Sequence, residues 1–156
     1  RWLKLQVLGV LWYAADDGFH LEHGSMEIIS ADVKKDPNYR DLLPDSDLKE
    51  SLLLGTLTAG RNIAGEVPVL LVNEPIFVAN GMHSDVRYND LYPRWAYDQY
   101  RGLLAEQAQQ NSINYLDMWN AIPPEFFTDT PLHLSADGER LFAEQLNPKL
   151  LSLVCP

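Results

Sequence analysis

Apolar positions recur along the chain with different periods, and those periods set the expected elements. In residues 1–15, Leu3, Val7, Leu11 and Ala14 keep a helical spacing, but the residues between them are also apolar. A helix and a buried strand both fit such a run. Residues 16–45 are polar and rich in turn formers: Asp16-Asp17-Gly18, Asp36-Pro37-Asn38 and Leu43-Pro44-Asp45. A stretch of this kind inside a compact domain is usually a functional loop or an excursion with short elements of its own. Leu48, Leu52, Ala59 and Ile63 return to helical spacing and predict a helix over about 47–63. Ser46 and Asp47 stand at its start, Glu50 completes a capping box with Asp47, and Gly65 ends it.

Val67 to Val72 (VPVLLV) is short, apolar and β-branched, as a buried strand is, with Pro68 tolerated near its start. Asn73-Glu74-Pro75 then opens a long loop through Asn80-Gly81 to Asn89-Asp90. Pro93 suits the first turn of a helix. Ala96, Tyr100, Leu103, Leu104 and Ala108 mark its apolar face, and Asn111 and Ser112 close it. Ile113 to Met118 (INYLDM) predicts a second strand. Strand, helix, strand is a βαβ unit, so the strands should be parallel with a right-handed crossover. A loop with Pro123-Pro124 and Phe126-Phe127 follows. Ser135 caps a final helix with Asp137 and Glu139 in its positive first turn. Leu134, Leu141, Phe142 and Leu146 form its buried stripe, and Pro148 is expected to disturb or end it.

Composition then narrows the function classes. A length of 156 residues fits one domain, and 46% hydrophobic with 22% charged residues is an ordinary globular balance. Only 12 Lys and Arg face 22 Asp and Glu, for a net charge of -10. That argues against nucleic acid and anionic lipid as partners, because both need a basic surface. The single cysteine, Cys155, allows no internal disulfide and no multi-cysteine metal site. It leaves the compartment open between cytoplasm and periplasm or outside. The apolar run Leu5–Ala15 falls well short of the roughly 20 residues that a membrane span needs. Asp16, Asp17 and His20 follow it instead of the small residues of a signal cleavage site, so a buried element is expected. No Gly-rich phosphate loop is present, so nucleotide binding has no support.

The sharpest chemistry lies in Thr128-Asp129-Thr130-Pro131-Leu132-His133-Leu134-Ser135-Ala136-Asp137-Gly138. It sets a carboxylate and an imidazole in one loop ahead of a capped helix. A carboxylate that accepts a hydrogen bond from one ring nitrogen fixes the tautomer, and the other nitrogen can then take a proton from a nucleophile. The alternative is that Asp129 caps a local turn and His133 merely leads into the helix.

The ordered set of VPVLLV with Asn73-Glu74-Pro75, a long helix, INYLDM with Asp117, and His133-Leu134-Ser135-Ala136-Asp137-Gly138 resembles the last third of the SGNH (GDSL-type) hydrolases. That family includes esterases, lipases and enzymes that move acyl groups on polysaccharides. The resemblance covers roughly residues 66–150. It implies a three-layer α/β fold with a parallel sheet, incompletely represented here. Residues 1–65 would be a helical or loop excursion or lid, and 66–156 the C-terminal half of the domain. It also implies ester hydrolysis or O-acyl transfer on a small-molecule or sugar acyl ester. His133 would be general base then acid, Asp129 would orient it, and no metal or cofactor would be required.

The departures are specific. The family's Asp usually stands three residues before its His, whereas Asp129 and His133 are four apart. No Gly-Asp-Ser-like turn occurs. Gly24-Ser25 is the nearest nucleophile candidate, and a loop or cap serine is the alternative for Ser25. The glycine and Gly-x-Asn-Asp blocks of the oxyanion hole are missing. Asn73, at a strand end, has an amide able to donate to an oxyanion, or to stabilise a turn. The expectation is that the nucleophile and most of the oxyanion hole lie outside this chain, a reading with which the start at Arg1 agrees. Exposed apolar surface in residues 1–15 would then drive self-association.

Weaker constellations complete the set. His20 and His23, with Asp16, Asp17 and Glu22, have the donor types of a Zn or Mn site. His83 or Arg87, in the loop after Pro75, is placed to touch substrate or solvent. The run Tyr88, Tyr92, Trp95, Tyr97, Tyr100 fits either a carbohydrate or protein platform or a core face. Phe126-Phe127 fits an acyl wall or a pin for the loop. The rival to catalysis is a non-catalytic binding module, which predicts that Asp129 and His133 are unpaired.

Overall fold

The apolar run before Asn73 and the run after Ser112 become the two strands of a parallel sheet in the computed structural model, which describes residues 29–154. The elements are α1 (Gly55–Ala64), β1 (Leu70–Asn73), α2 (Arg94–Gln110), β2 (Asn114–Asp117) and α3 (Ala136–Val154). Single 3-10 turns occupy Lys49–Ser51 and Pro124–Phe126. The protein is thus a mixed α/β chain. β1 and β2 run in register from Leu70 opposite Asn114 to Asn73 opposite Asp117, and α2 is the crossover between them.

The strand starts at Leu70 rather than Val67 for a local reason. Pro68 has no N–H to give to a ladder. The Val67 N–H donates back to the Ala64 carbonyl at 3.1 Å, closing the turn after α1.

The helix expected over 47–63 is split. Asp47 accepts from the Lys49 N–H at 2.8 Å, but Leu48 and not Asp47 stands at the cap of the 3-10 turn, Leu52 is extended and the helix restarts at Gly55. Leu48 is the cause: its side chain is buried and its N–H donates to Gln99 Oε1 of α2 at 2.5 Å. That anchor bends the segment away. α1 itself buries no residue, and Ile63 is 87% exposed. Periodicity alone overstated the burial of this stretch.

Pro93 takes the cap position of α2, and its carbonyl accepts from the Tyr97 N–H at 3.1 Å. Pro148 does not end α3. It lies inside the helix, and the carbonyl it deprives, Glu144 four residues back, belongs to an exposed residue that water can reach.

The two core clusters draw mainly on the loops that follow the strands, with Val33 ahead of β1 and Tyr97 of α2 joining them. One cluster joins Val33, Phe77, Ala79, Ile122 and Phe127, with Leu141 and Phe142 of α3 against it. The other joins Ile76, Tyr88 and Tyr97, with Tyr92, Tyr100 and Trp119 against it. Tyr88 meets Trp119 at 4.7 Å and Tyr97 at 5.8 Å between ring centroids. These two tyrosines of the 88–100 run are therefore core, not an open platform. The loop between β1 and α2 is pinned by Asn89, which is fully buried. Its amide donates to the Phe77 carbonyl and its oxygen accepts from Leu91 and Tyr92 N–H groups.

Candidate acid–base site and adjoining cleft

The loop that carries Asp129 and His133 is closed by its own backbone. Phe127 and Leu134 form an antiparallel bridge, Thr128 N–H donates to the His133 carbonyl at 2.9 Å, and Ser135 N–H donates to Phe126 at 2.7 Å. Phe127 is buried in the first core cluster and Phe126 packs on it, so the pair pins the loop base. The tip is tied as well: Phe77 N–H donates to the Pro131 carbonyl at 2.8 Å.

Across the loop, His133 Nδ1 and Asp129 Oδ1 stand 3.1 Å apart. Thr128 Oγ1 donates to the same carboxylate oxygen at 3.0 Å. The hydrogen bond from His133, then that from Thr128, holds the Asp129 carboxyl below its usual range. With Nδ1–H aimed at the carboxylate, Nε2 is the proton acceptor, and it makes no hydrogen bond among the described residues. Both side chains are open to solvent, 64% for His133 and 51% for Asp129.

Asn73 ends β1 with its side chain buried. Its amide N–H donates to Asp117 Oδ1 at 2.9 Å, across the strand pair, and its oxygen faces the Tyr97 hydroxyl at 3.4 Å. Asp117 Oδ2 accepts from Arg101 Nε and Nη2 at 2.9 and 2.7 Å, and that guanidinium lies 4.3 Å over the Trp119 ring. Asn73 is thus one member of a strut joining the strand ends. It also borders a cleft of about 790 Å³. Leu132, the residue before His133, lines the same cleft, so the structure brings Asn73 and the acid–base loop to one cavity.

His83 lies elsewhere. Its backbone is left-handed, with φ of 61°, and its carbonyl accepts from Val86 and Arg87 N–H groups. Arg87 is buried and its guanidinium donates to four carbonyls, of Asp36, Asn38, Asn89 and Asp90. Ser25, His20, His23 and the apolar run of residues 1–15 lie outside the described residues. Among the described residues no group of three or more His, Cys, Asp or Glu side chains is placed to hold a metal ion. No helix there is long and apolar enough to cross a membrane. Sequence reading missed Tyr39 and Glu74 as cleft residues, because a tyrosine in a polar turn and a glutamate after a strand carry no periodic signal.

Comparison with protein-family models, with curated proteins and with solved structures finds no match to this chain.

Proposed function

We propose that this chain carries the acid–base half of an SGNH-type acyl-transfer site. The observation behind the reading is the 3.1 Å contact between Asp129 and His133, with Nε2 free. A binding module would leave those two residues unpaired. In the reaction, a serine hydroxyl gives its proton to Nε2 as its oxygen attacks the ester carbonyl. His133, now an imidazolium held by Asp129, returns that proton to the departing alcohol. A water then repeats the sequence to release the acid, or an acceptor alcohol takes the acyl group. The serine and most of the oxyanion donors are assigned to residues beyond 29–154, Ser25 being the weaker candidate for the serine, and Asn73 is the candidate donor within 29–154.

The three-layer fold belongs to the same proposal. A two-stranded parallel sheet whose strands are mostly half-buried supports it, because parallel strands normally sit in larger sheets covered on both faces.

The test uses the full gene product that contains this chain. It is labelled with a fluorophosphonate probe to map the serine, and assayed on p-nitrophenyl acetate. His133→Ala should lower kcat by on the order of 10⁴-fold, and Asp129→Asn should lower it by less. Unchanged kcat in His133→Ala, or no serine labelled, overturns the reading.

A further inference from the structure

The cleft beside Asn73 is walled by a continuous run of tyrosine rings. Tyr39, Tyr92, Tyr97 and Tyr100 touch in sequence, with centroids 6.4, 5.1 and 5.8 Å apart. The Tyr97 hydroxyl is turned to Asn73. The hydroxyls of Tyr39, Tyr92 and Tyr100 form no hydrogen bond among the described residues. These groups lie close enough to act on one another. Burial, then the neighbouring Tyr39, raises the Tyr92 phenol, and burial, then Tyr92, Asp117, Glu74 and Tyr39, raises that of Tyr100. Tyr92 and Tyr100 therefore stay neutral, able both to donate and to accept. Glu74 lines the same cleft, is exposed, and forms no ion pair or hydrogen bond among the described residues. Arg40 also lines it, 5.6 Å over the Tyr39 ring and free of any ion pair among the described residues.

An alkyl chain laid along this wall would strip water from three hydroxyls and a carboxylate and return no hydrogen bond, which is unfavourable. An anion would meet Glu74, and a cation Arg40. A neutral polyhydroxylated ring avoids both faults. Its C–H face packs on tyrosine rings while its hydroxyls satisfy phenol, carboxylate and guanidinium.

We propose that this cleft binds a neutral sugar ring through Tyr39, Tyr92, Tyr100, Glu74 and Arg40. Leu132, the residue before His133 in the chain, lines this cleft, and His133 itself does not. The sugar is then the alcohol part of the ester, an assignment that rests on the acyl-transfer reading, whereas the binding itself does not.

The test titrates the 156-residue chain, carrying ¹³C-labelled tyrosine, with cellobiose, chitobiose, xylobiose and sodium octanoate. At least one disaccharide should shift the ring signals of Tyr92 and Tyr100 saturably, and more tightly than octanoate. Tyr100→Phe, which keeps the ring and loses the hydroxyl, should weaken binding about fivefold, as removal of one hydrogen bond does. Glu74→Gln should weaken it in the same direction, and Gly102→Ala, at an exposed position of α2 away from the cleft, should bind as the native chain does. No saturable shift with any disaccharide, tighter binding of octanoate, or unchanged binding in both Tyr100→Phe and Glu74→Gln overturns the inference. Sugar binding without ester hydrolysis by the full gene product would sink the acyl-transfer reading and leave the cleft assignment standing. Hydrolysis without sugar binding would do the reverse.

Discussion

Gly138 sits in the first turn of α3, and replacing it with alanine tests whether this turn supports the acid–base loop. A helix interior normally gains from Gly→Ala by roughly 1 kcal/mol. Here the new methyl would lie 2.9 Å from the Phe126 carbonyl oxygen, 3.0 Å from Phe126 Cβ and 3.2 Å from Leu134 Cβ. The carbonyl cannot simply retreat, because it accepts the Ser135 N–H at 2.7 Å. The helix cannot easily retreat either, because the Gly138 N–H is held by Ser135 Oγ at 3.2 Å. Overpacking of this sort costs about 1–3 kcal/mol, and weakening the Ser135 cap adds up to about 1 more. Set against the propensity gain, Gly138→Ala should destabilise the chain by up to about 3 kcal/mol. The control is Gly102→Ala in α2, an exposed position where a methyl meets nothing within 4 Å. It should stabilise by about 0.5–1 kcal/mol. Urea unfolding of both variants beside the parent reads the two signs, and the His133 amide signal should move only in Gly138→Ala. A Gly138→Ala chain as stable as Gly102→Ala would refute the tight approach of α3 to Phe126.

Three further outcomes are expected. Tyr115 has a buried hydroxyl with no partner among the described residues, and burial pushes its phenol up to about 12. Tyr115→Phe should therefore be neutral or stabilising by up to about 1 kcal/mol in urea unfolding, and a clear loss would show a missed hydrogen bond. Arg87→Lys should cost roughly 2–4 kcal/mol, because an ammonium cannot span four carbonyls from two segments, and amide exchange in residues 36–38 should rise. The Asp129 carboxyl should titrate below the ordinary aspartate range by ¹³C NMR, and return towards it in His133→Ala. Its pKa is depressed in the fold, so its contribution is present above the ordinary value and fades as pH falls through the depressed one. An unmoved midpoint in His133→Ala would remove the pairing.

The βαβ core of the fold was legible because its signals are local. VPVLLV, Pro93 and INYLDM each mark an element by composition or by a special residue, and parallel pairing follows from the helix between the strands. The pairing of Asp129 with His133 was legible for the same reason, since one short loop holds both. The 47–63 segment was misread because its break is tertiary: Gln99, 51 residues from Leu48, takes the Leu48 N–H. The 88–100 aromatics divide between core and cleft according to partners such as Trp119 and Tyr39, which no window around residue 95 contains. Asn73 showed its position at a strand end but not its bond to Asp117, because register across the sheet decides that contact.

The guanidinium of Arg87 grips the 36–38 segment by main-chain oxygens alone, and Trp95 Nε1 does the same at the Pro37 carbonyl, at 2.6 Å. A grip of that kind fixes where the chain runs and is indifferent to which side chains it carries. Tyr39 and Arg40, one step further along, stand on the cleft wall. That wall can exchange residues without losing its path, so the cleft's selectivity is free to drift over generations while the strut at the strand ends stays put.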